Sequence, residues 1–476
     1  MPTETIYTYL GWRTINNKLI FLSKGYSVGA SEKMDVRLEG NSNNYSLVDP
    51  IGRDVKKDID DTLKLLDSDF VSHKIMMPLI SIAFLSPLNH FFKMADLEPK
   101  LVVFLIGRTG ARKSTLSSLI LSFFGDFNNA NTPISFRDTA NSIIAQTFAL
   151  KDVLTVIDDF HPASKLEEQS MNKTAQMIMR GYGDRVGRSR LKSDSTLLPS
   201  KPPRGNAVIT GEYPPDISES GTARYISVEL REEDINLPLL SELQDIARND
   251  SFKITMTEYI KFILSKNTSE DKTKLFVHGL RGDFQFYRDE FTNKLRDKKI
   301  SFHPRIPETL AWLYIGFNYY LIFLLEGGYI DSNRVQELDR ECEKNLLELA
   351  IEQSKLVVDD KPTTKFLTKL KSLLDSGIAQ VESKDDPMFV GSLGFIGYQD
   401  STYYYLHTSM THKAVKKLCE EQGELFSISE RALVKNLADE GFIETEKDKN
   451  TKLIRIADKT HRLLWIKKSV LESLIE

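Results

Sequence analysis

Residues 101–120 constrain this chain more than any other stretch: LVVFLI, then GRTGARKS, then TLSSLI. An unbroken apolar run enters a glycine-containing turn, and a helix-forming segment leaves it carrying Lys113 and Ser114. Strand, turn and helix in that order are the setting that a phosphate-binding loop requires. Backbone N–H groups of the turn and of the new helix N-terminus converge on one spot and favour phosphate oxygens there. Gly107, Gly110, Ala111, Arg112, Lys113, Ser114 and Thr115 form the expected nucleotide-binding stretch. In it Lys113 reaches the β/γ-phosphates and the Ser114 hydroxyl serves Mg²⁺. The general pattern G-x-x-x-x-G-K-[ST] has glycine at its sixth position, where this chain has Arg112. A nucleoside triphosphate, taken as ATP with Mg²⁺, is the expected ligand.

The chain has 476 residues, material for about two to four domains. Its 41% hydrophobic and 27% charged residues describe a soluble globular protein. A net charge of −4 gives no global basic signature, so any nucleic-acid contact has to come from local patches. Cys342 and Cys419 are the only cysteines, which excludes a disulfide framework and a Cys-based zinc cluster and fits a reducing cytosol. The N-terminal MPTETIYTYLGW lacks the basic and apolar regions of a signal peptide. The longest apolar run, Leu310–Leu325, contains Asn318 and falls short of the ~20 residues that span a bilayer, so a buried helix is expected there. A cytoplasmic protein without a membrane partner follows.

Residues 1–50 are short apolar runs separated by turns such as Asn16-Asn17 and Gly40-Asn41, a small β-rich element. Residues 51–96 switch to helical spacing, with Pro78 and Pro87 punctuating the apolar stretch. From 98 to about 230 strands (133–136, 153–157, 207–210, 225–230) alternate with helices (139–150, 165–180), which argues for a parallel sheet covered on both faces. Asn267–Lys274 reads as a polar linker, 275–358 as helices built around 306–325, Asp359–Thr364 as a break, and 365–407 as mixed. The amphipathic segment 429–440 ends at Gly441 and is followed by β-patterned 442–446 and 452–456. Helix then hairpin is the winged-helix arrangement, a frequent duplex reader. Nearly balanced charge across 408–476 leaves packing or protein contact as an equal reading.

Three further constellations carry chemistry. VLTVI at 153–157 runs into Asp158 and Asp159, placing both at the sheet edge where the phosphate loop opens. Asp158 joins Ser114 in holding Mg²⁺, and Asp159 polarises the attacking water. Residues 180–204 set Arg180, Arg185, Arg188, Arg190, Lys192, Lys201 and Arg204 against only Asp184 and Asp194. Arg188, Arg190 and Lys192 alternate, as on one face of a strand that Ser193-Asp194-Ser195 turns back. A solvated basic loop and a hairpin presented to a nucleic-acid backbone are both open readings. Thr210, at the end of strand 207–210, is placed to sense the γ-phosphate or orient water. Arg224 and Arg305 are candidates for stabilising phosphoryl-transfer charge, although single arginines more often make surface ion pairs.

Together these pieces resemble the AAA+ replicative helicases related to minichromosome-maintenance (MCM) proteins. They are similar in particular to helicase/replication-initiator proteins of bacterial phages, pathogenicity islands and staphylococcal cassette elements. The resemblance rests on GRTGARKS at 107–114, VLTVIDDFHP at 153–162, PPRGNAVITGE at 202–212, TARY at 222–225 and RIPET at 305–309. MCM-like phosphate loops tolerate a non-glycine residue before the lysine, as Arg112 requires. The resemblance implies an α/β AAA+ P-loop ATPase core at 98–265 and a helical lid at 266–360. It places an N-terminal β-rich and helical region at 1–97, a mixed connector at 361–407 and a winged helix at 408–476. It further implies Thr210 as sensor 1, Arg224 as an arginine finger reaching a neighbour's nucleotide, Arg305 as sensor 2, and the basic hairpin as the pore-lining element. Asp159 stands where such enzymes carry glutamate, and no long insertion interrupts 139–150 to supply a second pore loop. The implied protein is a homo-oligomer, a hexamer, that encloses single-stranded DNA and unwinds DNA to start replication of a mobile element. An origin-binding initiator using ATP only as an assembly switch is the alternative, with origin duplex held by the winged helix. A small-molecule P-loop kinase is disfavoured by the extra domains.

Overall fold

The alternation between residues 98 and 230 builds one five-stranded sheet in the order Tyr225–Glu229, Val102–Ile106, Asn206–Gly211, Leu154–Phe160, Ile134–Ser135. Every pairing in it is parallel. All residues of Asn206–Gly211 are buried, and in Leu154–Phe160 only Asp159 reaches partial exposure, as expected of strands covered on both faces. Because the strands run the same way, their C-terminal ends, and the loops that follow them, share one edge. The computed structural model describes residues 5–472 apart from 188–189, 192–195, 218, 388–393, 423, 425, 448 and 458. Contacts divide the chain into two units, Met1–Pro215 with Ala223–Lys355, and Asp216–Thr222 with Leu356–Glu476.

In the first unit an N-terminal hairpin pairs Gly11–Ile15 with Lys18–Leu22. Its two-residue turn puts both Asn16 (φ 48°) and Asn17 (φ 60°) in the left-handed region, which asparagine tolerates and the twist of a hairpin favours. Trp12 anchors it: the indole N–H donates to the Pro87 carbonyl at 2.8 Å, and the backbone N–H donates to the Asp152 carboxylate at 3.0 Å.

The helices His73–Leu85 and Arg305–Glu326 pack directly on one another. Gly316 makes that possible, because a Cβ there would lie 2.1 Å from the Ser81 carbonyl oxygen. Phe84 and Tyr320 then stack with centroids 3.9 Å apart. The stretches His73–Met94 and Arg305–Glu326 are long and apolar enough to cross a membrane, yet 94% and 72% of their apolar windows are buried inside the protein. The buried helix expected at 310–325 is therefore present.

Two expectations need correction. Pro78 does not break its helix. It forgoes one hydrogen bond, which burial of every residue from Ile75 to Leu85 outweighs. Nor is Asn267–Lys274 a linker: Ser269 caps a helix running Glu270–Asp297, accepting from Lys272 N at 3.3 Å, with Glu270 and Asp271 favourably placed in its first turn. Polar composition masked a capping signal.

The second unit folds on its own core. A sheet ordered Gln380–Ser383, Phe395–Gln399, Tyr403–Leu406, Lys459–Lys467, Ile443–Glu444 carries the helices Pro362–Asp375, Thr408–Gln422, Glu430–Asp439 and Lys468–Glu472 against one apolar cluster. The two expected strands do not form a hairpin with each other. Ile443–Glu444 and Lys452–Ile456 both pair with Lys459–Lys467, a strand that the charged flanks of RLLWIK obscured.

Gly316→Val places methyl groups where the Ser81 carbonyl stands. It should lower stability by about 3 kcal/mol, read as a shift in the urea midpoint without a change of slope.

Candidate nucleotide site and its distant arginines

The Val102–Ile106 strand delivers the chain into the Gly107–Arg112 turn, and the helix Lys113–Leu121 leaves it. Gly107 has no alternative, since a Cβ there would meet the Leu230 carbonyl oxygen at 2.1 Å. Gly110 turns at φ 94° with open space where a side chain would stand. Arg112 takes the left-handed conformation (φ 65°) as the cap of the helix, where the general pattern has glycine. The arginine adopts a glycine geometry at a cost of about 1 kcal/mol.

The side chains converge as the parallel topology dictates. Ser114 Oγ donates to Asp158 Oδ1 at 2.9 Å, and the Thr210 hydroxyl donates to the same oxygen. Thr210 Oγ1 in turn accepts from the Asp159 backbone N–H at 3.1 Å, fixing the Leu154–Phe160 strand end at a left-handed Asp159 (φ 70°). The Asp159 carboxylate turns outward and pairs with Arg137 at 3.4 Å. Lys113 Nζ folds back onto the Gly107 and Arg108 carbonyls at 2.7 and 3.0 Å. Burial pushes the Lys113 ammonium pKa down, with Glu212, Asp158 and Asp159 opposing. A cleft of about 310 Å³ opens between these groups.

Asp158 and Ser114 offer oxygen donors only, the set a hard divalent cation takes. Among the described residues no three His, Cys, Asp or Glu side chains are grouped to hold a metal. Mg²⁺ takes few protein ligands and completes its shell with substrate phosphates and water. Such an ion would supply charge neutralisation between phosphate oxygens.

Two residues that the sequence reading passed over also line the cleft. Glu212 hydrogen-bonds Thr109 of the turn, and His161 Nδ1 lies 2.9 Å from its other oxygen. The Thr109 hydrogen bond holds the Glu212 carboxyl below its usual range, helped by His161 and Lys113 against a burial effect of opposite sign. Their signal was positional: each falls two or three residues after a strand-end residue already singled out.

Arg224 and Arg305 come together, but not here. Arg224 Nη2 pairs with Asp184 Oδ2 at 3.0 Å, and Arg305 Nη2 with Asp184 Oδ1 at 2.9 Å. Arg305 Nη1 also donates to the Gly183 carbonyl at 2.7 Å. Burial works to raise the Asp184 carboxyl pKa, yet the two guanidinium groups outweigh it and the net direction is down. Arg224 precedes the Tyr225–Glu229 strand, whose register sets Tyr225 beside Val102 and Glu229 beside Ile106. The arginine pair therefore sits at the N-terminal edge of the sheet and the phosphate loop at the C-terminal edge, about 16 Å apart by strand rise. No arginine side chain bridges that distance.

In the basic segment, Arg190–Leu191 pairs antiparallel with Leu197–Leu198, so the chain does turn back as a hairpin. Arg188 and Lys192 lie outside the described residues. Arg185 and Arg204 are framework groups at its root. Arg185 donates to the carbonyls of Pro99 and Gly205 at 2.7 and 2.6 Å and to the Asn206 amide oxygen at 2.8 Å. Arg204 lies 3.7 Å over the Phe148 ring.

No protein-family model matches the sequence, and no curated protein matches it. A solved structure described as "SCCmec type IV Cch - active helicase" is similar at a TM-score of 0.63, covering 99% of this chain and 82% of that one with 14% identity. The likeness is one of fold. The apo C-terminal region of NrS-1 also matches, at 14% identity over 69% of this chain and 72% of that one, but its TM-score of 0.24 carries no argument.

Lys113→Ala should weaken binding of a fluorescent ATP analogue at least tenfold. Arg224→Ala and Arg305→Ala should leave the affinity of dilute, unassembled protein within about twofold, because both arginines stand a full sheet width from the loop.

Proposed function

We propose that this protein is an ATP-driven DNA helicase that works as a ring of identical subunits, of the MCM-like AAA+ type, in replication initiation of a mobile element. The observation that carries the reading is the division of the nucleotide machinery between opposite edges of one sheet. Phosphate loop, Mg²⁺ ligands and sensor stand at one edge. The two arginines suited to stabilise transferring phosphoryl charge stand at the other. A head-to-tail interface joins one edge of a subunit to the other edge of its neighbour and closes into a ring when the rotation permits. Arg224 then completes the adjacent site as an arginine finger, with Arg305 beside it as sensor 2. The sheet order and the fold likeness to a solved helicase support the same reading.

In this scheme Lys113 and the loop amides hold the phosphates, Ser114 and Asp158 hold Mg²⁺, Thr210 orients the γ-phosphate side, and Asp159 polarises water. Asp159 swings from Arg137 to do so. Hydrolysis needs the neighbour, because an arginine finger contributes about 10³-fold or more to turnover. The helical region 266–360 acts as lid. The winged-helix unit at 408–476 takes origin duplex, and the hairpin carrying Arg188, Arg190 and Lys192 grips single-stranded DNA by its phosphates.

Subunit mixing tests the composite site. Lys113→Ala and Arg224→Ala proteins should each lack ATPase. Mixed in equal amounts, about one interface in four joins an intact loop to an intact finger, and activity should recover to about a quarter of wild type. Activity that stays at the sum of the two parents would rule out a shared site. Lys192→Ala should keep most of its ATPase while losing displacement of a strand from forked DNA. DNA-stimulated ATPase with no displacement by the wild-type protein would favour the assembly-switch initiator instead.

A further inference from the structure

The sheet of the second unit has two unlike faces. One carries the helices and an aliphatic core that includes Leu406, Leu464 and Ile466. The other holds a cluster made, among the described residues, of strand residues alone: Tyr398, Tyr405, Ile456 and Leu463, with Phe395, Tyr403, Ile454 and Trp465 packed on them. Register explains the segregation. Tyr405 stands opposite both Tyr398 and Trp465, and Tyr403 opposite Lys467, so these side chains share one side of the pleat.

The rings form two groups, brought side by side where Tyr405 stands opposite Tyr398. Trp465 lies 4.8 Å from Tyr405 and 5.6 Å from Tyr403, Phe395 lies 5.2 Å from Tyr398, and His461 lies 5.9 Å from Tyr398 and 5.8 Å from His407. Tyr403, His407, His461 and Trp465 remain partly exposed. Lysines stand over the rings: Lys452 Nζ is 4.5 Å from the Trp465 centroid and Lys384 Nζ is 5.5 Å from that of Tyr405. Among the described residues the indole Nε1–H of Trp465 has no hydrogen-bond partner, an orphan donor within the face.

We propose that this face is a stacking platform for single-stranded nucleic acid. Amphipathic rings side by side offer π-faces to successive unpaired bases, whereas an aliphatic partner surface would call for leucine and isoleucine. Lys452 and Lys467, which stand 3.9 and 3.1 Å from the Glu444 carboxylate, meet the phosphates that follow each base by exchanging that partner. Lys452 has two uses. Over the indole it caps the ring by a cation–π contact; drawn to a phosphate it uncovers both the ring and the unpartnered N–H, which a base carbonyl can then accept. The platform is separate from the hairpin and independent of nucleotide, so its failure and that of the helicase reading are distinguishable.

The test is fluorescence anisotropy of the full chain with a labelled oligo-dT of about 20 nucleotides, without ATP, in wild-type and Lys192→Ala backgrounds. Tyr403→Ala and Trp465→Ala should each weaken binding about tenfold in both backgrounds, while Tyr403→Phe holds affinity and Trp465→Phe, which keeps a ring but loses the indole donor, falls between wild type and Trp465→Ala. Lys452→Glu and Lys467→Glu, which leave the core untouched, should weaken binding and steepen salt sensitivity less than wild type; they carry the test where an alanine variant fails to fold by circular dichroism. Unchanged affinity in these variants overturns the platform. An equal loss for a duplex of the same length overturns stacking, and a change in sedimentation in place of DNA affinity assigns the face to a second copy of the chain.

Discussion

Ser114 and Thr210 both donate to one oxygen of Asp158, and the candidate nucleotide site is built around that shared carboxylate. Three strand ends contribute to it: the first through the loop that follows it, the other two directly. Asp158 is nearly buried, and the two hydroxyl donors satisfy its inward oxygen there. The arrangement follows from parallel strands. Only when neighbouring strands run the same way do residues 107–114, 158–159 and 210–212 arrive at one edge.

The same topology removes Arg224 and Arg305 from that edge. A residue that precedes a parallel strand stands at the opposite end from one that follows it. Asp184, at the end of a long helix, pairs with both arginines in the single chain. In the function proposed above, a hydrolytic site divided in this way is silent in isolation, and assembly becomes a condition of turnover.

Packing outside the sheet serves these placements. The hairpin at residues 11–22 is fastened by Trp12 to Asp152 and Pro87, close to the root of the basic hairpin. Arg185 spends its donors on carbonyls and an amide, so one of the seven cations counted in 180–204 holds the framework. Charge alone could not single out Arg185, because burial is a property of the fold and not of residue type.

The chain's own order of residues determined the phosphate loop, the strand–helix alternation, the paired acids after a buried strand and the buried helix at 310–325. Each is a local pattern whose period or turn chemistry has one favourable backbone solution. Cap signals hidden in polar runs, as at Ser269, and strands with charged flanks, as at 459–467, were local too but were outweighed by composition. Tertiary structure alone decided that Glu212 and His161 join the cleft, that Arg305 lies with Arg224 on Asp184 and not beside its own phosphate loop, and that Tyr398, Tyr403, Tyr405 and Trp465 share one face. Those facts depend on which strands pair and in what register. Long-range pairing brings together residues that no short window of sequence contains.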